Sequence, residues 1–190
     1  MLNQILRFLL DTVLGFFVFV LLARFYLQLM RAPFRNPLGQ FVTALTNWLV
    51  VPARRLIPGM LGMDLASFLL AWLLEALLLF MLYMLRTGSI GGASGLMVGI
   101  FFSLALLELA RFSLYLLIGV ILIQAVISWI NPNAPLAPLF NALTGPFLRP
   151  FRRLIPPIGN VDLSPLFALV GAQLLLIPLE YITGSVSMLL

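Results

Sequence analysis

Four long stretches of apolar residues limit what this chain can fold into. They lie near residues 5–30, near 65–85, within 96–130 and near 163–183, and a helix needs about 20 such residues to cross a bilayer. Charged residues make up 9% of the chain and hydrophobic residues 63%, whereas a soluble domain carries about 25% charged residues. Because so little polar surface is available, the sequence predicts an all-α membrane protein with four transmembrane helices.

The third stretch is longer than a single span requires. A straight helix over 96–130 would measure about 52 Å, which exceeds the hydrocarbon thickness of about 30 Å. Two interpretations stay open at this point. The stretch is either a tilted span that extends into water, or a span near 103–130 that follows an interfacial segment near 96–106.

The second constraint is an internal repeat. Residues 46–64 read TNWLVVPARRLIPGMLGMD, and residues 144–162 read TGPFLRPFRRLIPPIGNVD. A shift of 98 residues aligns the two segments without a gap. Agreement over a P-x-R-R-L-I-P string indicates duplication. The identical positions pair Thr46, Pro52, Arg54, Arg55, Leu56, Ile57, Pro58 and Asp64 with Thr144, Pro150, Arg152, Arg153, Leu154, Ile155, Pro156 and Asp162.

The repeat predicts two tandem copies of one helix–loop–helix unit, with an interfacial helix in each loop. Because each copy contains two spans, both copies have the same orientation in the membrane, as in parallel repeats related by an axis along the membrane normal. The predicted boundaries are 1–86 for the first repeat with spans near 5–30 and 65–85, 87–95 for a Gly-rich linker, and 96–190 for the second repeat with spans near 103–130 and 163–183.

The distribution of arginines predicts the orientation. The loops 31–64 and 131–162 together hold seven arginines, whereas the opposite side offers Arg7 and Arg86. Cytoplasmic loops carry an excess of basic residues. We therefore expect both long loops in the cytoplasm and both termini on the other side of the membrane.

Two copies of P-x-R-R-L-I-P followed by an aspartate, each between apolar spans, resemble the YggT family, also called YlmG in some lineages. The second copy ends in the fuller form, DLSP at 162–165, whereas the first reads DLAS at 64–67. The resemblance implies a multi-pass protein of the bacterial inner membrane with plastid relatives. It also implies osmotic-stress tolerance in bacteria and cytochrome maturation or organelle organisation in plastids, none of which is a defined chemical activity.

A short apolar segment precedes the double arginine in each loop. FVTALTNWLVV in the first copy and FNALTGPFL in the second are too short to span, and such segments are typically interfacial or re-entrant. Trp48 suits an interface because its ring is amphipathic. We expect Pro52 and Pro58, with Pro150 and Pro156 as their counterparts, to end these helices and stiffen the turns.

The paired arginines, Arg54 with Arg55 and Arg152 with Arg153, are expected at headgroup depth. Interfacial arginines usually orient a membrane protein, so a topology anchor is the simplest interpretation. Guanidinium groups also hold phosphate with paired donors. The rigid spacing in both copies therefore raises a second hypothesis: a site for anionic lipid headgroups or another anion, or a docking face for a membrane-protein partner, with Trp48 beside it.

Asp64 and Asp162 each precede a span at the position of a helix N-cap. A carboxylate there meets free backbone N–H groups and the positive end of the helix dipole. Capping is the favoured interpretation, and a salt bridge to Arg55 or Arg153 of the same loop is compatible with it. The alternative is that the two aspartates together bind an ion.

Charged residues inside spans are costly and usually have partners. Arg24 lies about two turns from the loop end of the first span, and Glu75 lies about three turns into the second. The repeat maps Arg24 to Leu122 and Glu75 to Gln173, so both charges disappear together. We therefore predict an Arg24–Glu75 intramembrane charge pair.

Two further pairs have helical spacing. Arg7 and Asp11 are four residues apart, and Glu108 and Arg111 are three apart, so each pair can meet on one helix face. Mutual neutralisation is the favoured interpretation, and a proton or ion path is the alternative.

The composition disfavours catalysis. The sequence contains no cysteine and no histidine, which removes the usual zinc, haem and thiol chemistry, and no cofactor-binding motif is present. The arginines are separated by apolar spans, so no nucleic-acid partner is predicted. We therefore expect an accessory or assembly protein that engages lipids or membrane proteins through its loops. The alternative is a small channel or transporter that forms a pore as a homo-oligomer.

Overall fold

The computed structural model describes residues 1–57, 63–88, 95–131, 133–154 and 162–187, with the backbone only at residues 95 and 96. These residues form six α-helices. They are α1 (Leu2–Leu29), α2 (Pro37–Leu56), α3 (Leu65–Thr87), α4 (Gly95–Ile130), α5 (Ala137–Leu154) and α6 (Ser164–Ser187).

Four of the six helices are long and apolar enough to cross a membrane, as the sequence predicts. They cover Leu2–Leu29, Leu65–Thr87, Met97–Ile130 and Ser164–Ser187. Most of the side chains along each of these helices are not buried inside the protein. Their apolar outer surfaces are therefore available to lipid, which is the solvent that such a surface requires.

The third apolar stretch is one continuous helix. α4 runs from Gly95 to Ile130 without a break, so a separate interfacial segment near 96–106 is not formed. At 1.5 Å per residue α4 is about 54 Å long, and the interpretation as a span with an extension is the one that agrees with this length.

The loop helices are longer than the sequence suggests, because Pro52 and Pro150 do not end them. Pro52 lies inside α2, and Pro150 lies inside α5. A proline within a helix removes the hydrogen bond to the carbonyl four residues earlier. Pro52 and Pro150 are both exposed, so solvent or headgroups can satisfy the freed carbonyl. Pro58 and Pro156 lie outside the described residues.

Within each half the two membrane-length helices pack on each other, α1 on α3 and α4 on α6. The contact between α3 and α4 joins the two halves. Phe25 of α1 meets Phe68 of α3 with ring centroids 5.2 Å apart. Trp72 of α3 lies 5.2 Å from Phe102 of α4, measured between ring centroids. The end of α1 therefore lies beside the start of α3, and we call this part of the molecule the loop-side end.

α2 and α5 share one apolar cluster at the loop-side end. Val42 of α2 and Leu139 of α5 are buried together with Leu27 and Ala32, which lie at and just after the end of α1. Both loop helices are amphipathic, and the buried faces are directed at this cluster and at neighbouring helices. This packing places the two arginine pairs on the same end of the molecule.

Candidate functional site

Asp64 organises the first arginine motif, which we define as Arg24, Arg54, Arg55 and Asp64. Arg54 donates to both carboxylate oxygens, with Nη2–Oδ2 at 2.6 Å and Nε–Oδ1 at 3.3 Å. The Nε of Arg24 donates to Oδ2 at 3.3 Å. Asp64 thus joins the ends of α1 and α2 to the start of α3.

The same aspartate caps α3. Its side chain accepts from the backbone N–H of Ser67 at 3.3 Å and from the Ser67 hydroxyl at 2.7 Å. One carboxylate therefore satisfies a free N–H of the first helical turn while it binds two guanidinium groups, which is the capping position predicted for it.

The environment of Asp64 keeps the carboxylate ionised. Its side chain is only 1% exposed, and burial alone would raise its pKa. The hydrogen bonds from Arg54 and Ser67 and the charge of Arg54 outweigh this effect and lower the pKa of Asp64 below its usual value.

The predicted Arg24–Glu75 pair is corrected by this geometry. Besides Asp64, Arg24 donates through Nη1 to the Thr46 hydroxyl at 2.7 Å and to Oδ1 of Asn47 at 2.8 Å. Asp64 lies immediately before α3, whereas Glu75 lies about 16 Å further along this helix. The guanidinium of Arg24 therefore pairs with Asp64, just before α3, and not with Glu75, which lies about halfway along this helix.

The second arginine motif, which we define as Arg152, Arg153 and Asp162, is a reduced version of the first. Arg152 Nε donates to Asp162 Oδ2 at 2.8 Å, and the backbone N–H of Ser164 donates to Oδ1 at 2.9 Å. Leu122 stands at the position that corresponds to Arg24. With one arginine in place of two, Asp162 remains 27% exposed.

The pKa of Asp162 is lowered in the same way as that of Asp64. Partial burial acts to raise it, and donation from Ser164 and Arg152 outweighs that effect. Each aspartate therefore accepts from an arginine of its own half.

Within each motif the first arginine binds the aspartate and the second is directed outward. The salt bridges involve Arg54 and Arg152, not Arg55 and Arg153 as the sequence interpretation had allowed. Consecutive residues on a helix project about 100° apart, so the two arginines of each pair leave the helix in different directions. Arg55 and Arg153 are exposed, and neither has an ion pair within the described ranges.

Trp48 lies on the exposed side of α2. Its side chain is accessible, with a residue exposure of 64%. The indole N–H donates to the Leu45 carbonyl at 2.8 Å, and the ring packs edge-on against Phe17, with centroids 6.1 Å apart. Since its N–H is satisfied within α2, the indole can lie against apolar surroundings without cost from an unpaired donor.

An apolar groove of about 590 Å³ begins near the arginine motifs. It lies where α1 and α3 face α4, α5 and α6. Tyr26 and Phe68 form one wall, and Phe147 and Pro178 form the other.

Four other charged residues of the membrane-length helices lie around a second, more polar cleft of about 450 Å³. Arg7, Asp11, Arg86 and Glu108 line it. The predicted Glu108–Arg111 ion pair is formed, with 2.7 Å between Oε2 and Nη2. Arg7 and Asp11 lie in the same cleft, but the salt bridges of the described residues do not include them. No set of three potential metal ligands is found within the described ranges.

Several polar residues of the site were not predicted. Thr46 and Asn47 hold Arg24, Ser67 holds Asp64, and Gln28 accepts from Arg54 Nη2 at 3.0 Å. Thr46 could have been found, because the repeat retains it as Thr144. The other residues have no identical counterpart at the 98-residue shift, so the repeat carried no signal for them.

The fold and the motifs define a multi-pass α-helical membrane protein with four membrane-length helices. The CCB3/YggT family model matches residues 3–85 and 103–182. The chain therefore belongs to the CCB3/YggT family.

The relatives that it resembles carry no described activity. An uncharacterized protein of Pseudomonas aeruginosa is 40% identical over 177 residues, which is 92% of this chain and 87% of the relative. The uncharacterized protein YggT of Escherichia coli is 35% identical over 162 residues, covering 85% and 81% of the two chains. No solved structure matches this chain.

Proposed function

We propose that this protein is an accessory protein of the bacterial inner membrane that binds anionic lipid headgroups through Arg55 and Arg153. The main support for the proposal is that the two arginines of each pair make different contacts. One guanidinium neutralises the aspartate before a span, and the other is exposed without an ion pair among the described residues. Guanidinium groups free of carboxylate partners can offer paired donors to phosphate.

The apolar surroundings of the two arginines support an interfacial position. Leu56 and Leu154 follow the arginine pairs and are 86% and 78% exposed. Trp48 adds an exposed indole on α2. A helix with basic and apolar residues exposed together is typical of the plane between headgroups and acyl chains. α2 and α5 then lie at the interface, and the nearby groove offers apolar surface to an acyl chain.

The arginine distribution supports the orientation within this proposal. Both long loops face the cytoplasm, where anionic lipids attract basic residues, and the termini lie on the other side. The 98-residue shift places Pro37 and Leu56, the ends of α2, at Pro135 and Leu154, close to the bounds of α5. This agreement supports a tandem duplication, with two similar lipid-binding surfaces in one chain.

Competition between lipids tests the proposal. Purified protein is mixed with equal amounts of phosphatidylglycerol and phosphatidylethanolamine, and bound lipid is counted by native mass spectrometry. We expect wild type to retain phosphatidylglycerol in excess and the R55Q/R153Q variant to lose the preference. The matched control is R35Q/R149Q, which removes two exposed arginines of the same loops outside the motifs.

The comparison of the two double variants decides the outcome. A preference kept in R35Q/R149Q and lost in R55Q/R153Q supports the site. Equal loss in both contradicts a specific site, because the attraction would then depend only on net charge. A preference unchanged in R55Q/R153Q contradicts lipid binding by these arginines.

The second candidate function is an oligomeric channel or transporter connected with ion or osmotic homeostasis. Glu75 and Glu108, buried within membrane-length helices, favour it, because intramembrane ionisable residues usually mark ion or proton pathways. Flux of ions into liposomes that contain only this protein would support transport. Partners or lipids that co-purify without any flux would support the accessory role.

A further inference from the structure

Glu75 is a buried acid that forms no salt bridge with the residues that the structure describes. It lies near the middle of α3, and the residue is only 3% exposed. Its Oε2 atom is buried and has no hydrogen-bond partner within the described ranges, and none of the salt bridges there involves Glu75. An ionised carboxylate in such a place costs at least several kcal/mol. A bound proton removes this cost.

The charges around Glu75 come from the two helices that pack beside it. α4 contributes Glu108 and Arg111, and α1 contributes Asp11. Arg111 is 2.7 Å from Glu108 and is therefore already engaged by another carboxylate. The acidic neighbours oppose a negative charge on Glu75, and Arg111 already forms an ion pair with Glu108.

The cleft of about 450 Å³ reaches two of these acids. Asp11 and Glu108 line it, as do Arg7 near the start of α1 and Arg86 near the end of α3. Both of these arginines lie at the end of the bundle opposite the arginine motifs, and Asp11 is exposed. The cleft therefore runs from the end opposite the loops towards the two acids next to Glu75.

From this arrangement we propose that Glu75 is a proton-exchange site within the spanning region, reached through the cleft that Asp11 and Glu108 line. The carboxylate takes up one proton to become a neutral carboxylic acid and returns it to water or to a neighbouring carboxylate in the cleft. The proposal is independent of lipid binding, since the arginine motifs lie at the other end of α3 and involve none of these residues.

Infrared difference spectroscopy on protein in lipid vesicles tests this proposal. A protonated carboxyl group has a carbonyl stretch that the carboxylate lacks, and the stretch shifts in D2O when the proton exchanges. We expect the band at neutral pH in wild type, its loss in Glu75→Gln, and its shift in D2O. Glu180→Gln, which changes an exposed glutamate of α6, should leave the band unchanged.

Two results would overturn the proposal. The same band in wild type and Glu75→Gln would show that Glu75 is ionised. A Glu75-dependent band that does not shift in D2O would show a sealed carboxylic acid without exchange. Gln173 occupies the corresponding position of the second half. Glu75→Gln therefore introduces the residue that the second repeat has at the equivalent position.

A second measurement needs no variant. Glu75, Glu108 and Glu180 are the glutamates of the chain, and carbon-13 labelling of glutamate shifts only their bands. If the carbonyl stretch of a protonated group does not move on labelling, no glutamate is protonated and the proposal is wrong.

Discussion

At the scale of single residues, the two halves differ where Arg24 corresponds to Leu122. Arg24 gives Asp64 a second guanidinium, and the carboxylate is almost completely buried. Asp162 has the salt bridge to Arg152 and remains partly exposed. The partner of Arg24 could not be predicted from the sequence. The positions of residues along the spans show which residues lie at a similar depth in the membrane, but not which helix lies beside Arg24. Thr46 and Asn47, which hold it, come from α2.

The difference in burial predicts unequal effects of removing the two aspartates. Asp64→Asn leaves Arg24 buried without its ionic partner, and breaking a buried ion pair from one side costs about 3–5 kcal/mol. Asp162→Asn breaks a partly exposed pair, which is worth about 0–1 kcal/mol. Unfolding of each variant in detergent micelles by denaturant measures both. Equal losses of stability would contradict the central role of Asp64.

The lowered pKa of Asp64 predicts the pH dependence of this stabilisation. The unfolded carboxyl has a pKa of about 3.9, and the folded one has a lower pKa. The contribution of Asp64 is therefore fully present above about pH 4 and is lost as pH falls through the folded pKa. The difference in melting temperature between wild type and Asp64→Asn should be constant from neutral pH to about pH 4 and should decrease below that. A difference that grows on acidification would contradict this assignment.

At the scale of elements, the spans were predictable and the loop helices only in part. Apolar length alone located three of the membrane-length helices to within about four residues, whereas the span predicted near 103–130 belongs to a helix that begins at Gly95. The sequence interpretation ended the loop helices at the prolines, whereas α2 continues past Pro52 to Leu56. Because Arg54 and Arg55 lie within the continued helix, the directions in which their side chains leave α2 are determined by its geometry. Without it the sequence could not show that Arg54 is directed at Asp64 and Arg55 outward.

The exposed side of α2 predicts a shallow position in the bilayer. A W72F/W129F variant retains Trp48 as its tryptophan, and lipids with bromine at different depths along the acyl chain quench its fluorescence. We expect the strongest quenching from bromine near the headgroups, because Trp48 is exposed on an amphipathic helix at the loop-side end. Strongest quenching at the bilayer centre would indicate a re-entrant α2, and efficient quenching by aqueous iodide would place α2 in water.

At the scale of the whole molecule, two similar halves associate through α3 and α4 and bring α2 and α5 to one end. Val42 and Leu139 share a buried cluster there. The sequence repeat predicted a common orientation of the two motifs, because each copy has an even number of spans. The contact between the halves could not be predicted in this way. It depends on residues such as Trp72 and Phe102, which the 98-residue shift places opposite Val170 and Gln4.

Cysteine labelling of intact cells tests the common orientation most directly, because the chain contains no cysteine of its own. Pro33→Cys and Asn131→Cys place matched labels between the first two helices of each half, and Thr87→Cys and Ser185→Cys place matched labels at the other end. All four positions are exposed. With a membrane-impermeant maleimide we expect Thr87→Cys and Ser185→Cys to react, and Pro33→Cys and Asn131→Cys to be protected until the cells are opened. Reaction of Pro33→Cys and Asn131→Cys from opposite sides would contradict two arginine motifs on one face of the membrane.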